Sequence, residues 1–342
     1  MQDAFIVAAA RTATGKAPKG TLRGTRPDEL AATAIAGALN RAPGIEAGEI
    51  EDVILGCAMP EAEQGLNVAR IASLRAGVPV SASAVTVNRF CSSGLQAIAY
   101  GAERIMCGAA SAIVAGGTES MSLVPMGGHT IAPNPALVER YPDVYLSTGL
   151  VAENHARESN ISREAQDAFA LDSHRKALAA IDAGRFVDEI VPVTARVVDT
   201  SNGKSRVAES TFAVDEGPRR DTTLEGLAGL RPAFHVRGSV TAGNSSQTSD
   251  GAAAVVLASA RLVRERGLTP LGRFVGFATA GIEPERFGLG PVPAIRKVLA
   301  QTGLTLDQMD LVELNEAFAV QVLACLKELP IDAARLNVNG GA

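Results

Sequence analysis

Cys91 is the side chain of this sequence best placed to act as a nucleophile. The stretch 85–98 reads as a buried strand, a sharp turn and a helix, with Cys91 where the helix begins. A thiol there faces unpaired N–H groups and the positive end of the helix dipole, which favours its thiolate. Ser92, Ser93 and Gly94 leave room for a substrate to approach the sulfur, as at a nucleophile elbow. The alternative is a structural cysteine near a strand end.

The other three cysteines are interpreted as packing residues. Cys57 follows a strand, Cys107 ends a helix and Cys325 lies in an apolar helical run. None of the four forms a C-x-x-C pair, so a disulfide framework is excluded and a reducing, cytosolic-type compartment is expected.

Two further stretches carry polar residues next to apolar strands. In Val312–Ala319 a hydrophobic strand delivers Asn315 and Glu316 to its carboxyl end, where α/β folds place ligands. Asn315 could donate a hydrogen bond to a developing oxyanion, directly or through water, or it could be a helix N-cap. The stretch 240–253 is a loop of small and hydroxyl residues that could cradle amide or phosphate groups, although this signal alone has low specificity.

Alternating strands and helices must position these residues. Strands are expected at Ala4–Ala9, Val53–Leu55, Ala84–Val87, Ala112–Ala115, Ala252–Leu257, Leu271–Ala278 and Leu311–Leu314. Helices are expected at Pro27–Leu39, Leu66–Arg75, Ser93–Met106, Leu262–Arg266 and Pro293–Gln301. This alternation predicts a parallel sheet that is covered on both faces.

The middle of the chain, about 119–237, is richer in Pro, Gly and charge, and it holds all four histidines. One amphipathic helix, Ser162–Ala183, stands out there, with Ser162 as its expected N-cap and Gly184 as its stop. The region is either a surface insertion or a substrate-binding lid.

Composition excludes several classes of protein. The chain has 342 residues, 46% of them hydrophobic and 20% charged, and a net charge of −5. These values fit a soluble globular chain of about two domains and argue against disorder and nucleic-acid binding. No apolar run approaches the ~20 residues of a membrane helix.

A faint internal repeat relates the two ends of the chain. Aligning Ala34-Ile35 with Ala294-Ile295 brings Val53 onto Val312 once one residue is dropped. The order of these matches favours a duplicated α/β half.

Taken together, the motifs resemble the thiolase family. They are the Cys91 stretch, Thr241–Ser246, Leu230–Phe234, Asn315–Ala319, Ala152–Asn154, Ser162–Glu164 and Gly116–Met121. They are collinear and cover essentially the whole chain. The form of Cys91–Gln96 is more similar to degradative 3-ketoacyl-CoA thiolases than to those that form acetoacetyl-CoA.

The resemblance implies a five-layered αβαβα thiolase fold with two similar halves and an inserted loop domain. The halves would be 1–118 and 239–342, with the loop domain at 119–238. The reaction would be ping-pong thiolysis of a 3-ketoacyl-CoA, or the reverse Claisen condensation, through acylated Cys91.

The resemblance also implies roles for single residues. Asn315 would help to stabilise the thioester enolate. The CoA contacts would be Arg219 at the nucleotide end, Ser246 at the pantetheine, and Phe234, Ala242, Ala317 and Phe318. CoA would be a substrate, no metal or resident cofactor is implied, and a cytoplasmic homodimer or homotetramer is expected.

The sequence also departs from the family pattern. It ends at Ala342, where a Gly-His-Pro segment and a later Gly-rich Cys segment would follow, so a C-terminally truncated record is expected, with the last strand–helix units of the second half missing. The four histidines are interpreted as solvated or locally bonded, and none matches the family's catalytic one.

Three functions are therefore weighed. The first is a thiolase. The second is a catalytically impaired protein that binds CoA or acyl chains, or a partner subunit. The third is a ketoacyl synthase of the same fold, which the Asn315–Phe318 motif fits less well.

Overall fold

The computed structural model describes residues 2–199 and 206–341. Its strands are β1 (Ala4–Arg11), β2 (Gly15–Lys16), β3 (Asp52–Gly56), β4 (Ser83–Val87), β5 (Ala112–Ser120), β6 (Val193–Asp199), β7 (Arg206–Phe212), β8 (Ser249–Ser259) and β9 (Gly272–Arg273). Its α-helices are α1 (Pro27–Asn40), α2 (Val68–Arg75), α3 (Ser93–Met106), α4 (Pro135–Arg140), α5 (Thr148–Glu158), α6 (Arg163–Asp182), α7 (Leu224–Ala228), α8 (Ala260–Arg266), α9 (Pro291–Thr302) and α10 (Ala319–Glu328).

The chain divides into two compact units. The first comprises Met1–Ile131, Phe186–Gly217 and Thr248–Val275, and the second Ala132–Arg185, Pro218–Gln247 and Gly276–Ala342. The three-segment division expected from the sequence stays a prediction.

The first unit is built on a mixed sheet in the order β4-β3-β5-β8-β1-β9, with β2 paired to β8. Its β3 runs parallel to β4 and β5, whereas β8 is antiparallel to both β5 and β1. The expectation of a parallel sheet is therefore wrong for β1, β8 and β9. These strands pair with partners far along the chain, which local alternation of strands and helices cannot specify.

Two apolar cores cover the faces of this sheet. Val53 and Leu55 of β3 belong to the core that contains α1, and Ile54 belongs to the core that contains residues of α3. The alternation follows from the two-residue period of a strand, and it explains why β3 is apolar along its whole length.

Several helix bounds match the expected ones because their end signals are local. Helix α3 has the expected bounds, and Ser162 Oγ accepts a hydrogen bond from the Ala165 N–H at 3.2 Å, as an N-cap of α6 should. Helix α2 begins two residues later than expected, since Leu66 and Asn67 both have positive φ values, 54° and 57°.

Two expected strands are wrong. Of 271–278, only Gly272–Arg273 pairs with β1. The stretch 311–314 forms no ladder, although Val312 makes a single parallel bridge to Leu336. This bridge repeats the parallel pairing of β3 with β4, in agreement with the internal repeat.

The second unit holds α4–α7, α9 and α10. Among the described residues no helix is both long and apolar enough to cross a membrane.

Candidate active site

Cys91 lies in a single turn of 3-10 helix, Phe90–Ser92, between β4 and α3. Phe90 has a φ of +46°, which makes the chain reverse sharply before the helix. Ser93 Oγ accepts a hydrogen bond from the Arg89 N–H at 2.8 Å and donates to the Phe90 carbonyl at 2.6 Å. The turn is thus fixed by its own side chains and presents Cys91 at the surface of the first unit, as predicted.

Close backbone packing fixes the start of α3 against β3. A Cβ atom on Gly56 would lie 2.4 Å from the carbonyl carbon of Ser93, so only glycine fits there without movement. A Cβ atom on Gly94 would meet nothing nearer than the Gly116 oxygen at 3.8 Å. Gly56 is therefore required by packing, whereas the position of Gly94 leaves room for a Cβ atom.

The electrostatics of Cys91 differ from the expectation. Although Cys91 is exposed as a residue, its thiol group is partly shielded from solvent, and this desolvation raises the thiol pKa. The charge of Glu119 also raises the pKa, and the residue's own backbone N–H lowers it. The pKa is raised overall, so the expected preference for the thiolate is wrong in direction. The helix N-terminus contributes its N–H group, but desolvation outweighs it.

The other cysteines have separate environments. Cys57 is buried beside Glu119, and desolvation raises its pKa to about 12. Cys325 is buried in α10, where desolvation raises its pKa to about 11. Both are packing residues, as predicted. Cys107 is exposed and its thiol donates to the Glu103 carbonyl at 2.7 Å, so its assignment to packing is wrong.

Asn315 lies in an extended segment of the second unit, four residues before α10. It is exposed, and its side chain makes no hydrogen bond within the described residues. The N-cap of α10 is Phe318, so the interpretation of Asn315 as an N-cap is wrong. Its amide remains available to a ligand, as its alternative role requires.

Four of the expected CoA contacts come together in the second unit. The rings of Phe234 and Phe318 meet edge to face, with centroids 5.8 Å apart. The Ser246 N–H donates to the Ala317 carbonyl at 3.0 Å, and Ser245 bridges Phe318. Phe234 is 39% exposed, so this aromatic pair offers an apolar edge to solvent.

The remaining two expected contacts are Arg219 and Ala242. Arg219 is exposed, and its guanidinium pairs with Asp221 at 3.0 Å. This pairing raises the pKa of Arg219 and lowers that of Asp221. Ala242 is exposed in the loop that follows Val240.

Two carboxylates that the sequence interpretation did not single out, half-buried Glu153 and buried Asp167, hold the loop that follows Gly238. Glu153 accepts hydrogen bonds from the N–H groups of Ser239 and Val240 at 3.0–3.1 Å. Asp167 accepts from Asn244 Nδ2 at 2.9 Å and pairs with Arg163 at 2.8 Å. Glu153 lies in the motif Ala152–Asn154, and Asp167 follows the motif Ser162–Glu164 by three residues. Only the fold shows which groups donate to these carboxylates.

One histidine contradicts its interpretation. His155 is 1% exposed, and neither ring nitrogen has a hydrogen-bond partner among the described residues. Burial lowers its pKa, with Arg286 lowering it further and Glu158 opposing the shift. His129 and His235 make local hydrogen bonds, as expected, whereas His174 Nδ1 accepts from the N–H of Arg219, 45 residues away, at 3.3 Å.

Comparison with known proteins agrees with the motifs. The family model for the thiolase N-terminal domain matches residues 4–261, and that for the thiolase C-terminal domain matches residues 268–342. A 3-ketoacyl-CoA thiolase of Bacillus subtilis is 52% identical over 100% of this chain and 88% of its own length. An acetyl-CoA acetyltransferase of Pseudomonas aeruginosa is 46% identical over the same shares.

Solved structures agree as well. The crystal structure of the Bacillus anthracis acetyl-CoA acetyltransferase has a TM-score of 0.89 and 42% identity, covering 100% of this chain and 86% of that one. The predicted thiolase fold is confirmed by this match. Both domain models together span almost the whole sequence, and the chain belongs to the thiolase family.

Proposed function

We propose that this chain transfers an acyl group between a 3-ketoacyl-CoA and CoA, with Cys91 as the residue that carries it. The main observation is the position of Cys91, which is exposed in a tight turn just before α3. The predicted acyltransferase class is confirmed by full-chain similarity to enzymes named for that activity. The alternative of a catalytically impaired binding protein or partner subunit is not favoured.

The reaction has two halves. The Cys91 thiol gives up its proton and its sulfur bonds to the keto carbon, and the bond from that carbon to its neighbour breaks, leaving its electrons on the thioester enolate. The enolate takes up one proton, which balances the one lost by Cys91, and leaves as acetyl-CoA. A second CoA attacks the acyl group through its sulfur, the Cys91 sulfur leaves, and the proton from the CoA thiol restores the Cys91 thiol. Asn315 donates its amide N–H to the enolate oxygen, directly or through water.

Residues of the second unit supply the CoA contacts in this proposal. The exposed edge of the Phe234–Phe318 pair and the segment that joins Ser246 to Ala317 would bind the pantetheine. Arg219 would bind the nucleotide end and Ala242 would line the same loop. Because Arg219 already pairs with Asp221, CoA phosphates would share or displace that carboxylate.

The direction of the reaction is a finer proposal. The form of Cys91–Gln96 resembles degradative thiolases, and a relative named 3-ketoacyl-CoA thiolase is 52% identical. We therefore place thiolysis ahead of condensation as the reaction to assay. A cytoplasmic location and the absence of a metal or resident cofactor stay predictions.

A second copy of this chain is the partner that we propose for the exposed edge of the sheet. Strand β4 pairs only with β3 among the described strands, so it forms an edge of the sheet, where the Ala84 carbonyl accepts a hydrogen bond from Asn67 Nδ2 at 3.0 Å. Leu66, Val80 and Phe90 of the same unit are 91%, 79% and 63% exposed. An open edge with apolar neighbours suits an isologous dimer, in which the same strand meets its symmetry copy.

This dimer is tested by its mass in solution. Val85 of β4 is 43% exposed, and we expect Val85→Lys to shift the native mass from a multiple of the chain to that of one chain. Lys16→Ala, at the exposed end of β2, is the matched control and should keep the assembly. Light scattering would contradict the proposal if both variants kept the wild-type mass.

Initial rates test the activity itself. The protein purified from its natural source is given acetoacetyl-CoA and CoA, each over a range of concentrations, and acetyl-CoA is measured. Parallel lines in double-reciprocal plots are expected for a covalent ping-pong mechanism. Tight binding of CoA without turnover would instead support the binding or partner-subunit alternative.

A further inference from the structure

The side chain of Asn337 pairs with the peptide segment just before Asn315. It is 2% exposed, and its backbone has a φ of +44°. Its Oδ1 accepts a hydrogen bond from the Leu314 N–H at 2.8 Å, and its Nδ2 donates to the Leu314 carbonyl at 2.9 Å. The amide thus satisfies both backbone groups of Leu314, as a neighbouring strand would do.

The residue on the other side of Asn315 is held by the same group. Asn337 Nδ2 also donates to Glu316 Oε1 at 2.6 Å. Glu316 Oε2 accepts from Ser173 Oγ of α6 at 2.5 Å, and Ser173 Oγ accepts from the Gly341 N–H at 3.0 Å. A Cβ atom on Gly341 would lie 2.0 Å from Glu316 Oε2, so the segment packs directly on the carboxylate.

These contacts fix both neighbours of Asn315 but leave Asn315 itself without a partner. Immobilising its backbone beforehand removes an entropic cost that would otherwise be incurred when the amide meets a developing charge. The Asn315 amide makes no hydrogen bond to another group of the described residues, whereas Leu314 and Glu316 are bonded to Asn337.

We propose that Asn337 is a positioning residue for the acyl-transfer reaction, holding Leu314 and Glu316 so that Asn315 presents its amide to the substrate. This inference rests on the proposed function. Asn337 acts only through Asn315 and touches neither substrate nor the reacting atoms. A purely structural role would stabilise the second unit without any specific coupling to Asn315.

A double-mutant cycle separates these two roles. Asn337→Gly removes the amide and still tolerates the positive φ, which Ala would not. In the wild-type background we expect it to lower kcat about 10–100-fold with little change in KM, as removal of a residue that orients a functional group does. In an Asn315→Ala background the same change should lower kcat by less than about threefold, because the group that it positions is gone.

Two further variants complete the test. Every variant, including those of the cycle, is expressed from the natural gene. Gln166→Ala removes another buried polar side chain of α6 that bonds Ser239 at 2.9 Å, and it should lower the unfolding midpoint without changing kcat. Ser173→Ala, a milder change, should lower kcat in the same background-dependent way if Asn337→Gly does not fold.

Each outcome decides the inference. Equal losses of kcat in both backgrounds, or no loss in either, would overturn it. Failure of the proposed function would be seen separately, as absence of thiolysis by the wild-type protein or its persistence in Cys91→Ala.

Discussion

The turn that carries Cys91 and the segment that carries Asn315 are stabilised in opposite ways. Around Cys91, the bonds of Ser93 to Arg89 and Phe90 span three or four residues. Around Asn315, the bonds of Leu314 and Glu316 to Asn337 span 21–23 residues, and that of Glu316 to Ser173 spans 143. The nucleophile is thus placed by local structure, and the amide by the packing of its whole unit.

This difference has a consequence for tolerance to mutation. The hydrogen bonds that shape the Cys91 turn join neighbouring residues, and the packing of Gly56 on Ser93 is the longer-range contact that places it. The Asn315 segment depends on groups from α6 and from residues 335–341. Substitutions far away in the sequence should therefore change the position of this segment.

Cys91→Ala should give the largest effect. Loss of the nucleophile removes the covalent route, and we expect thiolysis to fall by about 10⁴-fold or more, as for other nucleophile deletions. The measurement is the initial rate of acetoacetyl-CoA cleavage. Cys107→Ala is the matched control, since Cys107 is also an exposed cysteine of the first unit and should leave the rate unchanged.

Asn315→Ala comes next. Removing one donor to a developing oxyanion lowers kcat by about 10²–10³-fold in comparable sites. Because the side chain has no partner among the described residues, the unfolding free energy should not change. A loss of stability with unchanged kcat would show that the segment is structural and would remove the contrast between the two regions.

Gly56→Ala tests the packing of β3 on the start of α3, which helps to place Cys91. The added methyl group would lie 2.4 Å from Ser93, so α3 must shift, at a cost of about 1–3 kcal/mol in unfolding free energy. Gly94→Ala is the matched control, since its Cβ has no contact under 3.8 Å. We expect denaturant unfolding to separate the two variants, with Gly94→Ala as stable as the wild-type protein. Equal stabilities would contradict this packing.

His155→Leu should have the smallest effect on activity, and it tests the stability of the second unit alone. His155 packs beside Gly288 and Gln321 with both ring nitrogens unpaired, so an apolar side chain should stabilise the unit by about 1–3 kcal/mol.

The pH dependence of His155 has a definite sign. Its folded-state pKa is lowered below 6.5, so the unfolded chain takes up the proton first as pH falls. Stability should be present above about pH 6.5, the unfolded-state value, and should fall as pH drops toward the folded-state value. His155→Leu should make the free energy of unfolding less dependent on pH in this range. If urea unfolding gives the same pH dependence for the variant and the wild-type protein, the assignment is contradicted.

The same contrast explains what could be predicted from sequence. The turn at Cys91 and the bounds of α3 follow from neighbouring residues, and these predictions are confirmed. The strand expected before Asn315 does not form, and the residues that hold the segment are not predicted, because no local pattern links Asn337 or Ser173 to Glu316. The antiparallel pairing of β1 with β8 was missed for the same reason, since it joins residues such as Ala4 and Ser259.

The direction of a pKa shift is the other property that the sequence alone does not determine. The position of Cys91 at a helix start suggested a lowered pKa, but the direction depends on how much solvent the fold removes and on where Glu119 lies. His155 likewise looked like a solvated residue until its burial was known.

The covalent intermediate on Cys91 is the most direct test of the account. The native protein is mixed with acetoacetyl-CoA without free CoA, quenched in acid and digested, and the peptide that contains Cys91 is weighed by mass spectrometry. The account predicts one acetyl group on Cys91, removed when CoA is added before the quench. An unmodified Cys91, or an acetyl group on a different residue, in a preparation that turns over would contradict it.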